Sequence, residues 1–435
     1  MKPDRARRPS DNTARWAASA CLVWLAGCAT PPPPPPPPPA PAPAPTVAAT
    51  PAPPPPVVAA PAPPPPPAAP PPILPFDEAV LSAANALLGR AQLPPNTRYN
   101  VVIDPLIDGV TGAQSVATQA MGSRIVKLIQ DSYPRYAVQP FNTTNVQRGP
   151  LILVGTFTGV NGERKTEGKR EAYRVCLALA DLKTGKLVSK GLAFAAPEGV
   201  DPTPLPFFRD APAWVDDPAT TGYIRTCQGT RAGDSINPQY LDKIVTAATI
   251  AEATEAYGAG QYADALKLYE TAQASPGGDQ LRVYSGLYLT NLRLGRQKDA
   301  AEAFGKIVDQ GLTAKRMGVK FLFRPGTAAL WTDPKAGPVP YPLWLSQIAS
   351  RTAVRQACLE LVGHTSPTGA EPINERLSVL RAEQVRKSLE MLAPSLKKRL
   401  ESSGVGSRET LVGNGRDDIS DALDRRVEVK VVDCS

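Results

Sequence analysis

Gly363-His364-Thr365-Ser366-Pro367-Thr368-Gly369, followed by Asn374, Leu377-Ser378 and Arg381-Ala382, is the most decisive stretch of this 435-residue sequence. Cys358-Leu359-Glu360-Leu361-Val362 before it reads as a strand, and the Gly/Pro/Ser/Thr cluster reads as a loop. A helix is expected from Asn374 to about Leu389. At ~100° per residue, Leu377 and Val385 lie about 40° from Arg381 and Leu389 about 80° away, so the arginine sits inside or beside the apolar stripe. An arginine there needs a partner, because arginine is rarely buried alone. Its planar fork suits a carboxylate, supplied either by an internal acid or by a ligand.

Working outward, Val319–Phe323 reads as a strand, Trp344–Ser350 as a helix and Arg426–Val432 as an alternating final strand. Phe323 to Gly326, Gly363-His364-Thr365, Gly369, Asn374, Leu377-Ser378, Arg381-Ala382, Val385 and Asp424-Arg425-Arg426-Val427-Glu428 together resemble the OmpA-like peptidoglycan-binding domain. That resemblance covers residues 318–435 and implies an α/β sandwich with a mixed sheet. It also implies a peptidoglycan site at Thr365, Ser366, Asn374 and Arg381. In the family the equivalent arginine holds the carboxylate of the stem-peptide diaminopimelate, and an aspartate after the His-Thr pair holds its ammonium. Here that aspartate position is Ser366, which supplies no countercharge, and Asp424 stands where the family commonly has asparagine.

The other end of the chain carries an address. Lys2, Arg5, Arg7, Arg8 and Arg15 precede an apolar run from Trp16 to Ala26, the pattern of a secretory signal over residues 1–27. The apolar run is about half of the ~20 residues a spanning helix requires. Leu25-Ala26-Gly27-Cys28 resembles a bacterial lipobox, which implies lipidation at Cys28. With Ala29 next and no aspartate there, the resemblance implies sorting to the outer membrane, with lipid-anchored protein facing the periplasm. An ordinary cleaved signal with an incidental cysteine is the alternative.

Between Pro31 and Pro75, 27 of 45 positions are proline, and no charge occurs from Thr30 to Phe76. Proline lacks the N–H donor, so residues 28–76 are expected to form an extended spacer rather than helix or sheet. At ~3.1 Å per residue its reach is on the order of 140 Å.

Residues 77–235 read as a mixed α/β domain: a strand at 100–104, a helix from Gly112 to Tyr133 stopped by Pro134, a strand from Leu151 to Thr158, and a hairpin of Tyr173–Leu182 and Leu187–Phe194 turned by Lys183-Thr184-Gly185-Lys186. This succession resembles the periplasmic domains of the penicillin-binding-protein activator and curli-secretion lipoproteins. A long Pro- and Asp-rich excursion carrying Trp214, Tyr223 and Cys227 is expected from Asp201 to Asp234.

Residues 240–312 are alanine-rich with helical periodicity. Gly260-Gln261-Tyr262-Ala263-Asp264-Ala265 with Tyr269 matches Gly295-Arg296-Gln297-Lys298-Asp299-Ala300 with Phe304, 35 positions on. That is close to the ~34-residue period of tetratricopeptide repeats. Two copies fall short of a free-standing solenoid, so the unit is expected to lean on a neighbour, as a spacer or as a partner-binding surface. The whole reads as a multidomain α+β chain.

Once Cys21 leaves with the signal and Cys28 is set apart, Cys176, Cys227, Cys358 and Cys434 remain, and four cysteines in an oxidising compartment allow three pairings. Cys176 with Cys227 and Cys358 with Cys434 are favoured because each pair lies within one expected domain; four buried reduced thiols are the alternative. The formal charge of +8 includes three from the signal region. That modest excess, without basic runs interleaved with aromatics, gives no nucleic-acid signature. His364 is the only histidine, so no multi-histidine metal site can form, and no nucleophile elbow or phosphate-binding loop occurs in a suitable context. The sequence therefore points to a protein without catalytic residues or cofactors that tethers the outer membrane to peptidoglycan. The alternative is a periplasmic adaptor or assembly factor for a wall synthase or secretion machine, binding wall weakly because of Ser366.

Overall fold

A computed structural model describes residues 70–434 apart from 167–169, 215–216, 332–338, 412–414 and 416–419. The signal segment, Cys28 and nearly all of the Pro/Ala tract lie outside the described residues. The described part is built on two sheets and twelve α-helices. No helix in it is long and apolar enough to cross a membrane.

The first sheet collects β1 (Ile73–Leu74), β2 (Tyr99–Ile103), β3 (Ile107–Asp108), β4 (Tyr136–Gln139), β5 (Leu151–Val160), β6 (Ala172–Asp181) and β7 (Lys186–Ala195). Its order is β1-β7-β6-β5-β2-β4, with β3 also on β5. Strands β4, β2 and the start of β5 are parallel, whereas β5, β6 and β7 form an antiparallel meander. Pro105 separates β2 from β3, since a residue without an N–H interrupts the ladder. On one face, Val101, Leu153, Val175 and Leu177 meet α1 (Phe76–Gly89) and α2 (Val116–Ser132).

Helix α2 starts four residues after the expected Gly112. Ser115 caps it, accepting from the N–H of Thr118 while the Thr118 hydroxyl takes the N–H of Ser115. After β4 comes α3 (Thr143–Val146), and the excursion after β7 contains α4 (Pro206–Asp210) and α5 (Pro218–Cys227), then α6 (Pro238–Leu241). The Pro- and Asp-rich excursion therefore carries short helices. Leu205-Pro206 and Asp217-Pro218 place proline in a first turn, where its missing N–H costs nothing. The other sheet face, with Val102, Ile152, Cys176 and Ala178, packs on Tyr223, Cys227 and Tyr240. The Cys176–Cys227 disulfide joins β6 to α5 across that face.

Helices α7 (Ile244–Gly258), α8 (Tyr262–Ala274), α9 (Leu281–Arg293) and α10 (Gln297–Thr313) follow as antiparallel neighbours. Ala265, Tyr269, Ala300 and Phe304, the residues of the internal repeat, are all fully buried.

The second sheet has the order β10-β9-β11-β8, from β8 (Arg316–Leu322), β9 (Cys358–Gly363), β10 (Leu400–Gly404) and β11 (Arg426–Val432). Strands β9 and β10 are parallel and the remaining pairs antiparallel, so the sheet is mixed. Helices α11 (Tyr341–Arg355) and α12 (Glu371–Leu392) complete the layer. Both begin earlier than periodicity suggests, because Pro342 and Pro372 occupy first-turn positions. The second disulfide, Cys358–Cys434, ties the start of β9 to the chain end beyond β11.

One hydrophobic core runs from Phe207 and Tyr257 through Tyr269, Phe304 and Trp344 to Leu361, Val385 and Val429. The helical segment therefore leans on the second sheet, as its two copies require. The outer edge of β8 is also covered. The N–H of Lys320 reaches the carbonyl of Pro212, and the N–H of Trp214 that of Gly318, both at 2.8 Å. A capped edge exposes no row of unpaired amides.

Candidate functional site

The loop after β9 and the first turns of α12 are pressed together by two small residues. Gly363 and Gly404 are paired across β9 and β10, and a Cβ on Gly363 would strike the Ser378 carbonyl. One on Gly404 would strike the Ser378 hydroxyl and the Val379 amide. The helix thus crosses the strand ends where no side chain intervenes. The Ser378 hydroxyl accepts from the N–H of Gly406 at 3.0 Å, fixing the turn after β10 as well.

This crossing brings Thr365, Ser366, Asn374 and Arg381 together, none more than 5% exposed. Arg381 donates through Nε to the carbonyl of Thr327 at 3.0 Å, and through its terminal nitrogens to those of His364 at 2.9 Å and Arg324 at 3.1 Å. Its guanidinium carbon lies 5.4 Å from the Phe323 ring centre. The cation beside the apolar stripe is therefore held by main-chain dipoles from two loops and by an aromatic face. Neutral carbonyls meet part of the demand that was assigned to a carboxylate.

The Asn374 amide donates to the carbonyl of Thr368 at 3.2 Å, and the Ser366 and Thr368 hydroxyls stand 3.0 Å apart. The Thr365 hydroxyl is buried and has no hydrogen-bond partner among the described residues. Asp424 is buried and accepts from the N–H of Leu411. The Arg425 side chain donates to the carbonyl of Phe323 at 3.2 Å. This places Asp424 at the strand end beside the aromatic that carries Arg381.

His364 is wholly buried, with Glu409 and Glu428 carboxylates each 3.9 Å from a ring nitrogen. Burial, followed by the charges of Arg426 and Lys430, lowers its pKa from 6.5 to about 2. The ring is neutral at pH 7 and forms no ion pair with either acid. The sequence reading quoted Arg324 and Thr368 within its motifs without assigning them to the site and did not name Thr327; all three act through main-chain or loop contacts. Phe323 and Gly326, quoted in the motif, were the available signal for Arg324 and Thr327.

Comparison with solved structures gives small partial matches. The peptidoglycan-associated lipoprotein of Burkholderia pseudomallei is 24% identical, covering 27% of this chain and 92% of that one, with a TM-score of 0.23. The periplasmic domain of Helicobacter pylori MotB is 20% identical over 26% of this chain and 72% of that one, with a TM-score of 0.21. The OmpA-like domain of FopA1 from Francisella tularensis is 18% identical over 27% and 75%, with a TM-score of 0.20. No family model and no curated protein matches the sequence. Among the described residues no group of three or more His, Cys, Asp or Glu side chains is placed to hold a metal.

Proposed function

We propose that this protein is a non-enzymatic lipoprotein tethering the outer membrane to peptidoglycan, anchored at Cys28, extended by its Pro/Ala tract, and contacting wall through the loop after β9. The carrying observation is the buried Thr365 hydroxyl, without a partner among the described residues, in a loop gathered with Ser366, Asn374 and Arg381. A buried polar group without a partner costs about 1–3 kcal/mol, and a hydrogen-bonding ligand relieves that cost. In this reading Arg381 orients the carbonyls of His364, Arg324 and Thr327 and adds positive potential for the diaminopimelate carboxylate of the stem peptide. Ser366 offers the ammonium a neutral acceptor, so binding is weaker than with aspartate, because ion-assisted hydrogen bonds are about twice as strong as neutral ones.

Co-sedimentation with purified sacculi tests the proposal. Wild type should pellet with diaminopimelate-containing wall, Ser366→Asp should pellet more completely, and Arg381→Ala should remain in the supernatant. Failure of the wild type to pellet, while an OmpA-type control does, rejects the tether.

A further inference from the structure

A cleft of about 1100 Å³ opens between α2 and α7, remote in sequence from the loop after β9. Ile103 and Pro105 after β2, and Pro140 to Asn142 after β4, form its end. The cleft therefore sits at the carboxyl ends of parallel strands, where open α/β sheets place ligands. Leu106 and Phe207 are buried in its floor.

Gly122 lies inside α2 and faces this cleft. A glycine within a helix costs about 1 kcal/mol relative to alanine. Among the described residues the other helix-interior glycines have a packing reason, since a Cβ at Gly222, Gly286, Gly305 or Gly311 would collide with a neighbour. At Gly122 a Cβ would meet nothing within 4 Å. The chain's own packing leaves this glycine unexplained, and close approach of a ligand to the backbone is a use that only glycine serves.

The unpaired charge lies on the α7 wall. Glu252 and Glu255 on α7 line the cleft and have no ion-pair or hydrogen-bond partner for their carboxylates among the described residues. Lys127, across on α2, is already paired with Asp131 at 2.9 Å. The acidic wall on α7 above an apolar floor complements a chain carrying both basic and apolar side chains.

We infer that this cleft binds a cationic peptide segment of a partner protein, with basic side chains against Glu252 and Glu255 and the peptide lying along α2 at Gly122. The site is independent of wall binding by the loop after β9.

Fluorescence anisotropy with a labelled twelve-residue peptide of alternating leucine and lysine, titrated with the purified protein, tests it. The peptide should bind, and a leucine–glutamate counterpart should not. Glu252→Gln with Glu255→Gln should weaken binding by about tenfold, the equivalent of one charge-assisted contact. Gly122→Leu, which fills the cleft and favours helix, should raise the melting temperature and abolish binding. Unchanged binding in Gly122→Leu overturns the inference, as does equal binding of both peptides, or competition by chitotetraose, which would make the site a glycan site.

Discussion

The indole Nε1 of Trp344, on α11, donates to the hydroxyl of Tyr288, on α9, at 2.7 Å, while the Trp344 ring stacks on Phe304 at 5.4 Å. This contact joins the helical segment to the second sheet inside one core. Tyr288→Phe keeps the ring and leaves a buried N–H without an acceptor, at a cost of about 1–3 kcal/mol. In hydrogen exchange, amides of α9 and β9 should lose protection together in this variant. Loss confined to α9 would show that the two units open separately.

His364 should stay neutral far below its ordinary pKa. The native pKa is about 2 against 6.5 unfolded. As pH falls below about 6.5 the unfolded chain takes up a proton that the native ring refuses, and stability declines by up to ~1.4 kcal/mol per pH unit. Because this is the only histidine, its imidazole proton resonance is assigned without ambiguity. It should not shift between pH 8 and 4; a titration step near 6.5 contradicts the buried geometry.

Lys320 is buried in the edge of the second sheet, with Nζ donating to the Phe208 carbonyl at 2.9 Å and lying 4.7 Å from the Trp214 ring centre. Burial lowers its pKa from 10.5 to about 7, opposed in part by Asp210. Between about pH 7 and 10 the unfolded chain keeps a proton that the native state releases. The contribution of this group to stability therefore rises with pH across that window, by up to ~1.4 kcal/mol per unit, and levels off below pH 7. Urea unfolding at pH 7, 8 and 9 should show a steeper rise for wild type than for Lys320→Met.

The Cys358–Cys434 bridge spans 76 residues and closes onto the β9–β11 pairing at Cys358 and Val432. Removing such a link typically costs 2–4 kcal/mol. Cys358→Ser with Cys434→Ser should lower the urea midpoint accordingly, with a larger m-value because the unfolded chain is no longer cross-linked. A midpoint equal to wild type would mean that β11 holds its place without the link.

Strands with alternating or continuous apolar runs were legible, and β5, β6, β7, β9 and β11 lie close to where the sequence puts them. Strand β10 was not, because Leu400-Glu401-Ser402-Ser403-Gly404 has little apolar content and no β-branched residue. It is a strand because its main chain pairs with β9 and α12 covers it. Strand β4 is likewise short and recruited by pairing with β2. Thr365, Ser366, Asn374 and Arg381 were legible as a motif, whereas the acceptors of Arg381 were not. A main-chain carbonyl has no residue-type signature, and Thr327 reaches the site only through the turn after β8.

The sequence by itself determined the periodicities, the first-turn prolines and the glycine at 363, because these depend on local geometry or on one residue's shape, whereas it favoured the two cysteine pairs without deciding them. Only the tertiary structure decided that the helical segment and the second sheet share a core, that residues 212–214 cap β8, and that α2 and α7 leave a cleft beside Gly122. Those outcomes depend on which surfaces meet across long chain separations, and the side chains on each surface are compatible with more than one neighbour until the whole chain is packed.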